Sequence, residues 1–280
     1  MVHEAGDDAD WRQPGSRLST ADFLKRQWET GRRISPIFNV FGVEIYLFRV
    51  DWLHSVDQGV GADLAGNVFE VLLPKLPGGN KAEKTMALND KLQGFYERKG
   101  TLDRIKDFNV NSFKRASATQ PAKLKGCSAA CVRAIIPFVQ ELADELCDDE
   151  VPKEKAIKSA CKHLQFCYQA LAKSSAACRD EALYSSSQAF ALQFQALHLA
   201  AGDGVQFRSK PKMHIFLELC SQPGVVPNGF WCYRDEDFGG PISRQSKMKG
   251  SWKNLTAYSG HAFDMFFMKN QIPGIVEVTV

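Results

Sequence analysis

The chain has 280 residues, of which 44% are hydrophobic and 24% charged, and its formal net charge is +3. That composition fits one large or two ordinary globular domains and excludes a chain that stays unfolded for want of apolar residues. So small a charge excludes a polycation that coats nucleic acid unaided, although it permits a local basic groove.

Residues 1–18 are polar, include Pro14-Gly15 and read as a disordered lead-in. Their first ten residues are acidic and lack the basic and apolar regions of a signal peptide. No later run reaches the ~18 apolar residues of a membrane span. The expectation is an intracellular protein with no membrane partner. Ser19-Thr20-Ala21-Asp22 has the form of a capped helix start, with a helix running to about Arg33. Ser35-Pro36 ends it. Ile37–Val50 is rich in aromatic and β-branched residues and is expected to form a hairpin turning at Gly42, with Phe41–Val50 as a buried strand. Only a tail, Ile275–Val280, adds further β character.

From Trp52 the pattern is helical for a long way. Leu53, Val56, Val60, Leu64, Val68, Val71 and Leu72 recur at three and four, which marks an amphipathic or buried helix over Leu53–Leu73. Pro74, Pro77, Gly78 and Gly79 close it, and a more polar helix follows over about Lys81–Arg98. Leu102–Gln120 reads as loop, then helices are expected over about 123–147, 152–173 and 176–201. Arg208, Lys210 and Lys212 precede a short apolar helix with His214 in its first turn. An aromatic cluster then leads to Asp235-Glu236-Asp237 and Gly239-Gly240, followed by Arg244, Lys247, Lys249 and Lys253 on expected helices over 241–249 and 251–269.

Eight cysteines occur without a Cys-x-x-Cys pair. Cys127 and Cys131 are spaced to share one helix face, as are His163 and Cys167, and these pairs together have the composition of a Cys/His zinc site. The competing and favoured reading is that these thiols are small buried side chains.

The segment Asp51-Trp52-Leu53-His54 brings an acid to the expected end of a strand, beside a histidine at a helix start. Such a pair suits a metal or acid–base site. Equally, Asp51 suits a cap for the helix behind it, with His54 in the first turn. Glu236 has the same two readings, as a ligand to a divalent cation or as an acid favoured by the dipole of the next helix. The cations at 208–212 and 244–249 read either as a phosphate-binding surface or as a solvated face.

The order of these motifs resembles the C-terminal part of the RNase H-like transposases of the CACTA kind and related eukaryotic transposon families. The matching pieces are Asp51-Trp52-Leu53-His54 with Gly59, then a long helical insertion, then Lys210-Pro211-Lys212-Met213-His214, then Asp235–Gly240. The resemblance covers about residues 35–250. It implies that Asp51 and Glu236 are catalytic carboxylates and metal ligands, that His54 and His214 support them, and that Mg²⁺ or Mn²⁺ is the cofactor. Two hard cations held by carboxylates would activate the attacking and leaving oxygens of a DNA strand transfer. DNA is the implied partner, through Arg208, Lys210, Lys212, Arg244, Lys247 and Lys249, and the nucleus the implied location.

One departure changes what the resemblance implies. The family's first catalytic Asp lies on an earlier strand, whereas upstream of Asp51 only Asp7, Asp8, Asp10 and Asp22 occur, none after a strand pattern. The expected fold is therefore mainly α with a small β element: a degraded RNase H-like core interrupted by an all-helical insertion. Its expected parts are a lead-in at 1–18, a strand-plus-helix half at 19–74, the insertion at 75–205 and the second half of the core at 206–280. Two function classes follow. One is a remnant or domesticated transposase, inactive alone for want of the third acid. The other is a non-catalytic, mainly helical module that binds DNA or protein. The sequence sets no oligomeric state.

Overall fold

The computed structural model describes residues 18–45, 48, 50–173, 180–221, 227 and 232. The chain divides into two compact units, Met1–Trp231 and Cys232–Val280, and every described residue except Cys232 belongs to the first. Among the described residues the fold is mainly helical and contains no strand. None of these helices is long and apolar enough to cross a membrane.

Helix α1 (Thr20–Glu29) starts where the sequence indicates, with the Ser19 side chain accepting from the Asp22 N–H. The run after it departs from the expected hairpin. Ser35 caps a short 3-10 turn at Pro36–Asn39, and Ile37, Val40 and Phe41 are exposed rather than paired. Phe41 is fully exposed, and Phe48 and Val50 are exposed as well, so the described residues of Phe41–Val50 do not form the buried strand that its composition suggests. Proline at the first position of a turn presets helical φ, and β-propensity yields when no neighbouring strand offers a ladder.

The element around which the rest is packed runs from Trp52 to Leu72. It opens as a wide-wound π-helical stretch, Leu53–Gly61, and continues as helix α2 (Ala62–Leu72). Burial is nearly complete on every side and takes in four polar residues, Ser55, Asp57, Asp63 and Asn67. Helices α4 (Ala129–Leu146) and α7 (Pro211–Ser221) pack on the π stretch, and α4 also packs on α2. Helix α5 (Pro152–Lys173) pairs with α4 and with α6 (Glu181–Ala200), which in turn meets α7. Trp52 sits edge-on to the rings of Tyr168 and Phe216, at 5.8 and 5.9 Å between centroids. At the other end Phe69 gathers Phe108, Phe113 and Phe138. Side chains of this kind each contribute about 1.5–3 kcal/mol on burial, so these two aromatic groups anchor the central helix at both ends.

Helix α3 (Lys81–Lys99) shows complete local punctuation. Asn80 accepts from the Glu83 N–H, Glu83 reaches back to the Gly79 N–H, and Gly100 closes the helix at φ +63°. The connection 100–128 has no helix yet is well anchored. Ile105, Phe108, Phe113 and Leu124 are buried, and Asn89 exchanges two hydrogen bonds with the backbone of Phe108. A long ordered loop of this kind inside a compact unit is uncommon and often functional.

Candidate functional site

Asp51 and His54 are the natural starting point. Asp51 Oδ1 accepts from the His54 N–H at 3.0 Å, and Oδ2 lies 2.8 Å from the His54 ring Nδ1. Asp51 thus closes the first turn of the central helix, which is the capping arrangement, and the imidazole is locked to the same carboxylate. His54 is exposed and Asp51 partly so. This donor set, one carboxylate and one imidazole, does not by itself supply the all-oxygen shell that Mg²⁺ favours. Glu236, the proposed second ligand, lies outside the described residues, as do Arg244, Lys247 and Lys249.

The zinc reading of the cysteines is not borne out. Among the described residues, no three of Cys127, Cys131, His163 and Cys167 converge as a ligand group. Burial pushes the Cys127 thiol up to about 11, and the Cys131 thiol donates to the Arg104 carbonyl. Cys161, Cys167 and Cys220 are buried, and burial raises all three thiols, so they are small core side chains.

The other basic residues named from the sequence do converge. Lys210 Nζ lies 2.8 Å from Asp63 Oδ1, and Lys212 Nζ donates to the His54 carbonyl at 2.6 Å. Lys123, from the long connection, donates to the Gln58 carbonyl at 2.6 Å. The three lysines therefore surround the π stretch and the first turn of α2. Burial raises the Asp63 carboxyl above its ordinary value, opposed chiefly by the Lys210 bond. Burial also lowers the Lys123 ammonium, against the pull of Asp63 and with the repulsion of Lys212 and Lys210. Arg208, beside them in the chain, donates to the carbonyls of Thr119 and Gly204. His214 is half-buried in the first turn of α7, two residues past Lys212.

Backbone approach explains why the lysines can meet here. A Cβ on Gly66 would lie 2.4 Å from Lys123 Cα, so only glycine lets the 122–125 segment cross the helix. Leu124 N–H then donates to the Ala62 carbonyl at 2.9 Å. Asn67, fully buried, donates to the carbonyls of Asp63 and Ala122 and accepts from the Phe207 N–H. One amide thus ties the central helix to both segments that deliver lysines. At Gly59 the Lys212 side chain takes the place of a Cβ, which would stand 2.7 Å from Lys212 Cδ.

Sequence reasoning missed Asp63, Asn67 and Lys123. The signal was present for the first two: polar residues four apart among the apolar residues of a buried helix need partners, because burying them unpaired is costly. Lys123 carried no such signal.

Searches against family models, curated proteins and solved structures find no match to this chain.

Proposed function

We propose that this chain is a non-catalytic, mainly helical module that binds the phosphate backbone of a nucleic acid, DNA in the reading carried by the transposase resemblance. The observation that supports it is the gathering of Lys123, Lys210 and Lys212 around a single carboxylate, Asp63. With Arg208 alongside, four cations face one counter-charge among their hydrogen-bond partners; the other acceptors are neutral carbonyls. Each ammonium has three donors, and one internal bond leaves the other two for a phosphate oxygen. The cluster also lies at the start of α7, where the helix dipole adds partial positive charge.

The test is binding of a fluorescent DNA duplex and single strand as a function of salt. Phosphate contacts predict a linear fall of log K with log salt. Neutralising Lys123, Lys212 and Arg208 together (each to Gln) should flatten that slope by about one per cation lost. Unchanged affinity and slope in a triple variant that keeps its helical circular dichroism would overturn the reading.

A second reading keeps the metal-dependent strand transfer implied by the resemblance, with an RNase H-like core, its small β element, and Asp51 and Glu236 as ligands. The half-exposed Asp51–His54 pair at the helix start favours it. Mg²⁺- or Mn²⁺-dependent DNA cleavage that is lost in Asp51→Ala and in Glu236→Ala would support it. No cleavage, or cleavage unaffected by either change, would remove it.

A further inference from the structure

A second basic feature shares no residue with the lysine cluster. Between the end of the central helix, the first turn of α3 and the loop 113–118 is a cavity of about 680 Å³. That is within the roughly 300–1,000 Å³ typical of small-molecule sites. Its floor is apolar, made by Leu73, Pro74, Phe113 and the two alanines at 116 and 118. Four cations line it: Lys81, Lys84, Lys114 and Arg115. The single carboxylate in its wall, Glu70, is already held by Arg115 through two bonds of 2.7 and 2.9 Å. Arg115 also reaches Asp203 at 2.7 Å.

The remaining cations differ in how far they are committed. Lys84 donates to the Pro74 carbonyl. The Lys81 ammonium lies 5.8 Å from the centre of the Phe113 ring and has no acceptor among the described residues. Lys114 is exposed, and its ammonium likewise has no acceptor among the described residues; its backbone is engaged, the N–H by the Asn111 carbonyl and the carbonyl by Lys125. At the α3 N-terminus the Glu83 N–H is taken by the Asn80 side chain and the Lys84 N–H by the Asn80 carbonyl. An anion in the cavity would be met by the side chains of Lys81 and Lys114, which line it.

We propose that this cavity binds a nucleoside phosphate, its phosphate between Lys81 and Lys114 and its flat base against Leu73, Pro74 and Phe113. The charge of the rim selects the phosphate, and the apolar floor selects a flat body over inorganic phosphate alone. The inference is independent of DNA binding at the lysine cluster, because none of its residues is shared with that cluster.

The experiment is calorimetric or NMR titration of the purified chain with AMP, adenosine and inorganic phosphate. AMP should bind more tightly than either part. Lys81→Glu and Lys114→Glu should each weaken AMP by roughly tenfold, the scale of one charge-assisted hydrogen bond. Neither side chain is buried, and unchanged circular dichroism verifies that the variants fold. Lys212→Gln should leave AMP affinity unchanged, which separates this site from the DNA reading. A short oligonucleotide with a 5′-phosphate that displaces AMP identifies a chain end as the source of the nucleotide; failure to displace it identifies the free nucleotide. The proposal is overturned if AMP does not bind, binds no better than adenosine, or binds both charge-reversed variants as it binds the parent.

Discussion

Lys210 sets its ammonium 2.8 Å from the carboxylate of Asp63, 147 residues earlier in the chain. Asp63 is buried, with its side chain 8% exposed, while the Lys210 side chain is 29% exposed. The carboxylate is thus the costly member of the pair. Removing the lysine alone leaves a buried charge with only the more distant Lys123 and Lys212 to compensate it.

Lys210→Met is therefore expected to destabilise the protein by about 2 kcal/mol, below the range for a fully buried broken pair because Lys210 is partly solvated. Adding Asp63→Asn should recover most of that loss, since the amide carries no charge to desolvate. Urea denaturation of the two single variants and the double variant measures the coupling. A strictly additive cycle would show that the pair is not the unit described here.

Gly66 and Gly59 lie on the same central helix and make opposite predictions. At Gly66 the obstacle to a Cβ is the Lys123 backbone, which cannot move without breaking the Leu124–Ala62 hydrogen bond. At Gly59 it is the far part of a flexible lysine. Gly66→Ala should cost about 2 kcal/mol or more. Gly59→Ala should change stability by less than about 1 kcal/mol, because relief of glycine's helix penalty offsets the crowding. Thermal melts of the two variants decide it, and equal losses would contradict the close backbone crossing.

Asp203 provides a pH signature. Its carboxylate accepts from the N–H groups of Gln206 and Val205 and pairs with Arg115, and these contacts hold its carboxyl below the ordinary 3.8. A carboxyl depressed in the folded state contributes stability above its unfolded value and loses it as pH falls toward the folded one. Asp203→Ala should thus cost about 1 kcal/mol at neutral pH, a modest figure because the group is partly solvated. The difference between parent and variant should shrink as pH drops below about 4. A gap that stays constant down to strongly acidic pH would count against the carboxylate as its cause.

The cysteines are expected to separate by burial. Cys161, Cys167 and Cys220 have almost no exposed surface and raised thiols, so iodoacetamide should spare them in the native protein and label them after unfolding. Mass spectrometry of pulse-labelled protein reads this directly. Rapid native labelling of Cys161 would show that α4, α5 and α6 do not pack as described.

Much of the helical pattern was legible in the chain because its determinants are local. Ser19, Asn80, Ser128 and Asp180 each cap the helix that follows them, and apolar residues at three and four mark the faces that α4, α5 and α6 bury. The apolar run at 41–50 misled for the same reason. Its aromatic and β-branched residues fit a strand, but strand formation depends on a partner that local sequence does not specify. Asp51 carried two readings, ligand and cap; the His54 N–H bond to Oδ1 is a capping bond, while the contact of Oδ2 with the His54 ring is between side chains.

What the sequence determined by itself is a mainly helical chain with apolar residues recurring at three and four along Leu53–Leu72 and basic residues at 208–212. Only the tertiary structure decided that those basic residues turn toward that helix, that Lys123 joins them across the Gly66 crossing, and that Arg115 neutralises Glu70 in the wall of a cavity. The reason is physical. Helix periodicity and capping act over three or four residues, whereas a buried carboxylate recruits its counter-charge from wherever folding brings one, here from 60 and 147 residues away (123 − 63 = 60).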